Sequence, residues 1–185
     1  MIGRAPWLAL ALAACASQPQ PEPRTEPRNE RSEATAMNQT NEATHDPLRA
    51  FDRHPTATVT IRYGTEHFGK GEVTLAVRGD GAVRVDQRIA GAVNHHEAQL
   101  DGARVAALGR TLAEHHFTSP RTSSLPREPG DTPLVLRLSG AGTPAFETTI
   151  WYADRFKDRD LDAILRVTDD VLYAASDGKL GQSAQ

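Results

Sequence analysis

Two stretches of apolar–polar alternation, each closed by a glycine turn and followed by a helical pattern, restrict this chain more than any other feature. Val59, Ile61 and Tyr63 alternate with Thr58, Thr60 and Arg62, and Val73, Leu75 and Val77 repeat the pattern. Successive side chains in a strand point to opposite faces, so such alternation marks strands with one buried face. Gly79-Asp80-Gly81 supplies the positive φ that a tight hairpin turn demands, and Val83, Val85 and Ile89 form the return strand. Asp101 can then cap a helix whose Val105, Leu108 and Leu112 share one face.

After a Pro- and Ser-rich loop at 118–133 the plan recurs. Leu134, Leu136 and Leu138 alternate, Ser139-Gly140-Ala141-Gly142 turns, and Phe146, Thr148, Ile150 and Tyr152 alternate on the return. Asp158 or Asp160 then caps a helix with Leu161, Ile164, Leu165, Thr168, Val171 and Leu172 on one face. Antiparallel strands with a single apolar face need a cover for it. The expected fold is therefore α+β: an antiparallel sheet of about five strands, in the order β-ββα-ββα, with two helices packed on one face as a two-layer sandwich.

Outside this region the chemistry changes. Residues 16–45 are dominated by Gln, Pro, Glu, Arg, Thr, Asn and Ser, with no aromatic residue and no apolar period. Such a segment cannot bury enough surface to offset ordering entropy and is expected to be a disordered linker. About thirty residues of coil reach roughly 30 Å, enough to hold a domain off a surface. The expected organisation is a leader at 1–14, the cysteine and linker at 15–45, the α+β domain at 46–178 and a frayed tail at 179–185. The net charge is −3 with arginines and carboxylates interspersed, so nucleic acid is not an expected partner.

The leader has Arg4 followed by an apolar stretch from Ala5 to Ala14. As a helix it would cover only about 15 Å, half of a ~30 Å hydrocarbon core. The sole cysteine, Cys15, follows Leu12-Ala13-Ala14 directly. This segment resembles the lipobox of bacterial lipoproteins. The resemblance implies cleavage before Cys15, a diacylglyceryl thioether on its sulfur and acylation of the new amino group, hence a stable lipid anchor in the cell envelope. Ala16 in the next position implies the outer membrane. With no second cysteine, no disulfide can stabilise the domain.

Seven histidines include the pairs His95-His96 and His115-His116. The two pairs flank a helix of some 20 Å, which excludes one ion bridging both, since metal–nitrogen bonds are about 2 Å long. If the strands alternate in direction, the loop carrying Glu66 and His67 lies at the same end as a loop carrying His95, His96 and Glu97. His67, His95 and His96 are thus the candidate ligands for a divalent ion, against the simpler reading of solvated loop side chains. His116 falls on the Val105/Leu108/Leu112 face and is expected to pack at the helix end. Asp169-Asp170 reads as exposed helix surface. Asp158-Arg159-Asp160-Leu161-Asp162 opens like a calcium loop, but Ala163 stands where that loop needs glycine. No G-x-S-x-G elbow and no phosphate-binding glycine spacing is present. Trp151 alternates onto the face opposite Phe146 and Ile150, away from the expected helices, which makes it the candidate partner-contact residue.

The order of strand, hairpin, helix ending at Phe117, Pro-rich loop, hairpin and helix is similar to small domains of unknown function on bacterial lipoproteins. Val59-Thr60-Ile61-Arg62-Tyr63-Gly64, Phe68-Gly69 and the strand Leu134 to Leu138 are also similar, at the level of topology, to emfourin, an inhibitor of thermolysin-like metallopeptidases. The hairpin at Gly79-Asp80-Gly81 departs from that pattern, and no inhibitory residue carries over. The expectation is a lipid-anchored envelope protein with a non-enzymatic domain that binds a protein partner and needs no cofactor beyond the lipid on Cys15. The alternative is a divalent-metal-binding protein using the loop histidines.

Overall fold

The computed structural model describes residues 46–181, apart from 68, 70, 123–126, 128, 141 and 143–144. The leader, Cys15, the linker and residues 182–185 lie outside the described residues. The strands are β1 (Thr58–Gly64), β2 (Glu72–Arg78), β3 (Ala82–Ile89), β4 (Ala92–Gln99), β5 (Pro133–Ser139) and β6 (Phe146–Trp151). Two α-helices, α1 (Gly102–Glu114) and α2 (Arg159–Ala175), follow β4 and β6, and 3-10 turns occupy Phe51–Arg53 and Tyr152–Phe156.

All six strands form one antiparallel sheet in the order β4-β3-β2-β1-β5-β6. The fold is α+β with six strands, not about five. The additional strand is β4, in the segment expected to be a histidine-bearing loop. Ala90 and Gly91 make a two-residue turn with φ of 49° and 82°, which sends the chain straight back along β3. Apart from Val93, β4 has no large apolar side chain, so no apolar period announces it.

The alternating apolar residues of β1, β2, β3 and β5, with Ile150 of β6, are buried on one face. They share a single core with Val105, Leu108 and Leu112 of α1 and Leu161, Ile164, Leu165 and Leu172 of α2. α2 lies against α1 and over β3 and β4. Both helices begin as the sequence dictates. Asp101 Oδ1 accepts from the Arg104 amide at 2.8 Å, and Asp158 Oδ1 accepts from the amides of Asp160 and Leu161 at 2.9 and 3.3 Å.

The end of α1 departs from expectation. His116 takes a left-handed conformation with φ of 56°, which lets the Phe117 amide donate back to the Leu112 carbonyl at 3.0 Å. That reversal puts Phe117 in the core and leaves His116 exposed. Nor does the body end at Gly178. Leu180 is buried, and its amide donates to Ser176 Oγ at 2.9 Å.

Candidate functional site

Among the described residues the helices cover one face of the sheet and leave the other without a helix. On the other, cross-strand register aligns Thr149, Val135, Arg62, Thr74, Asp86 and His95 in one row. Glu147, Arg137, Thr60, Ala76, Arg84 and Glu97 form the next. Charges of both signs pair across these rows. Glu72 lies 3.4 Å from Arg62 and 3.9 Å from Arg88, Arg84 Nε is 3.1 Å from Asp86, and Arg137 is 3.7 Å from Glu147. Partial burial pushes the Asp86 carboxyl up, but hydrogen bonds from His95 and Arg84 hold it below the usual carboxylate range. Exposed ion pairs of this kind each contribute about 0–1 kcal/mol, so their members can be exchanged for the groups of another molecule at little cost.

The three candidate metal ligands are not brought together. His67 is exposed in the β1–β2 loop. That loop does touch the β3–β4 turn, but through Glu66, whose carboxylate accepts from the Gly91 amide at 2.8 Å. His95 and His96 lie in the middle of β4, where adjacent residues face opposite ways. His95 stands on the helix-free face with Nδ1 2.6 Å from Asp86 Oδ1, and His96 pairs across from buried Val85 on the helix side. Among the described residues no group of three or more His, Cys, Asp or Glu side chains is placed to hold a metal ion.

Trp151 is on the helix-free face at its edge, opposite Pro133, but it is not a bare aromatic. The Arg127 guanidinium sits 4.7 Å over its ring and the residue is half-buried. Arg127 is held in turn by Asp154, 3.2 Å away and 3% exposed, which also accepts from Thr122 Oγ1 at 2.9 Å. The Tyr152 amide donates to the Thr132 carbonyl and the Ala153 amide to Asp131 Oδ1. The loop after α1 is thereby fastened along the 151–154 segment, and Arg127 covers the indole.

No family model matches the chain, and no curated protein matches it.

A half-buried polar cluster that no sequence motif announces lies between β1, the 3-10 turn after β6 and α2. Arg155 donates to the Tyr152 hydroxyl at 2.6 Å and to Asp162 at 3.1 Å, and reaches Asp169 at 3.4 Å. The Tyr63 and Tyr152 rings meet with centroids 5.1 Å apart and planes tilted by 34°, and the Tyr63 hydroxyl is 3.5 Å from Asp169. Asp169 is thus buried, not exposed as its pairing with Asp170 implied. Burial pushes its carboxyl up, against the opposing charge of Arg155. Burial, reinforced by the Asp169 charge, also drives the Tyr63 phenol well above its ordinary value. The only sequence signal was the helical phase of Asp169, one residue from Thr168 and three from Leu172.

A shallow cleft of about 380 Å³ lies where Arg121 and Thr122 meet Asp154, Lys157 and the start of α2. It adjoins a second of about 260 Å³ beside His115, whose Nδ1 is 2.9 Å from Asp160 Oδ1. The hydrogen bond from His115 holds the Asp160 carboxyl below the usual range. Next to Lys157, Phe156 is 79% exposed, the barest large apolar side chain among the described residues.

Proposed function

We propose that this chain is a bacterial envelope lipoprotein, anchored in the outer membrane through lipid on Cys15, whose α+β body binds a protein partner and is not itself an enzyme. The observation that carries the binding reading is the helix-free sheet face. It is a broad surface on which exposed arginines alternate with carboxylates and mostly half-buried threonines, each ion pair weak enough to be exchanged on contact. The anchoring reading is supported by Leu12-Ala13-Ala14-Cys15 and by the length of the polar segment at 16–45, which gives the body reach away from the bilayer.

Two experiments test the reading. In the native bacterium, mass spectrometry of the N-terminal peptide should find a triacylated Cys15, and Cys15→Ser should release the chain from the membrane fraction. For the partner surface, a photo-crosslinking residue is placed at Thr60 or Thr74 on the open face, with Arg110 on the exposed side of α1 as the control. Discrete adducts are expected from the first two and none from the third. Adducts from α1 alone, or from no position, would overturn the binding surface while leaving the anchor standing.

A further inference from the structure

β4 is an end strand, and β3 is its only neighbour in the sheet among the described residues. Its eight residues stay in unbroken register with β3 from Ala92 to Gln99. Proteins usually blunt such an edge with lysine, proline or a bulge, and β4 has none of them. The Ala90-Gly91 turn fixes which backbone groups the edge presents. In a two-residue hairpin turn the flanking pair, here Ile89 and Ala92, exchanges both backbone hydrogen bonds, and bonded pairs recur at every second residue. Ala92, Asn94, His96 and Ala98 therefore turn their amides toward β3, while Val93, His95, Glu97 and Gln99 turn theirs outward.

We propose that this edge is completed by β4 of a second copy of the chain, antiparallel about a two-fold axis at His96, so that one sheet runs through both molecules. An axis perpendicular to the sheet maps each face onto itself, so residues that meet across it must share a face. With the axis at His96, His95 of each copy stands opposite Glu97 of the other on the helix-free face. Asn94 meets Ala98 on the helix side, and the outward amides of His95 and Glu97 each donate to the other's carbonyl across the axis. His95 is already oriented for this contact. Its Nδ1 is held by Asp86, which leaves Nε2 to face the carboxylate of the second copy. An axis one residue earlier would oppose His95 to itself and set Glu97 against Val93. Opposing the imidazole to a carboxylate rather than to a second imidazole selects His96.

The two His96 residues then form a pair without mutual backbone hydrogen bonds, whose Cα atoms lie about 4.5 Å apart. That spacing suits a disulfide. The test is the full-length chain carrying His96→Cys, expressed in its native envelope and examined on non-reducing gels beside the wild type, whose only thiol is Cys15. His96→Cys should give at least about tenfold more linked dimer than Asn94→Cys or His95→Cys, whose partners are displaced across the axis. Adding Glu97→Arg should abolish the link, and adding His95→Glu to that variant should restore it. Detergent-solubilised wild type, free of any folding defect from the cysteine, should have the mass of two copies. Wild type at the mass of one copy, with no link from any of the three positions, overturns the proposal. Linking from His95→Cys instead, or to a different protein, overturns it equally.

Discussion

Phe51 packs directly onto Gly109 of α1: a Cβ at position 109 would lie 2.6 Å from the Phe51 Cβ and would also run into the Leu48 carbonyl oxygen. The glycine is there for close approach, since its backbone is ordinary helix. Gly109→Ala gains up to ~1 kcal/mol of helix propensity but must push the Leu48–Phe51 segment off the helix, at about 1–3 kcal/mol. The variant should therefore unfold at lower urea. Gly102→Ala, whose Cβ meets nothing within 4 Å, should leave the midpoint unchanged or raise it. Equal behaviour of the two would refute the contact.

Tyr63 sets an alkaline limit. Burial first, then the Asp169 charge, raises its phenol above the value in the unfolded chain, which is about 10. Above that pH the unfolded state has released a proton that the folded state keeps, so stability falls as pH rises. Circular dichroism from pH 9 to 12 should show Tyr63→Phe unfolding at higher pH than the wild type. An unshifted alkaline midpoint would mean that Tyr63 is solvated.

The acid limb has two opposing parts. Asp86, Asp160 and Asp162 are held low, so their contributions are complete above the ordinary carboxylate range and are lost as pH falls. Asp169 is raised by burial, so its contribution has the other sign and grows on acidification. Asp169→Asn removes that counterweight. Urea midpoints measured between pH 7 and 3 should fall more steeply in the variant than in the wild type.

Arg127 and Trp151 give an optical readout of the loop. With Trp7→Phe, Trp151 is the one remaining indole, and Arg127→Ala should increase its quenching by acrylamide. Asp154→Ala removes the carboxylate that holds Arg127 in place and should produce the same rise in quenching. Trp151 as accessible in the wild type as in either variant would show that the loop does not cover it.

What the sequence made legible was whatever burial wrote into its periods. β1, β2, β5 and both helices each carry an apolar residue at every second or every third-to-fourth position, β3 does so except at Gln87, and each formed where that spacing put it. β4 was illegible for the same reason. At the sheet's end, six of its eight residues are exposed, so burial imposes no alternation on it. Trp151 lies on the face its alternation implies, but its cover comes from Arg127, twenty-four positions away and in no periodic relation to it. Asp169 and Leu180 owe their burial to contacts from β1 and from the chain's own end. His116 does not follow the helix phase, because the helix ends at Glu114 and the chain has turned left-handed by His116.

The place of β1 in the sheet order has a consequence for how the molecule is made. The earliest strand among the described residues ends up in the interior, and its second neighbour is encoded some seventy residues later, Ile61 lying beside Leu136. A nascent chain can complete the β1–β4 meander and still hold β1 open along one side until β5 emerges. That interval is when a chaperone or a stray strand competes for the vacancy. Interrupted synthesis before residue 133 would yield not a smaller edition of the same fold but a four-stranded fragment with two raw margins.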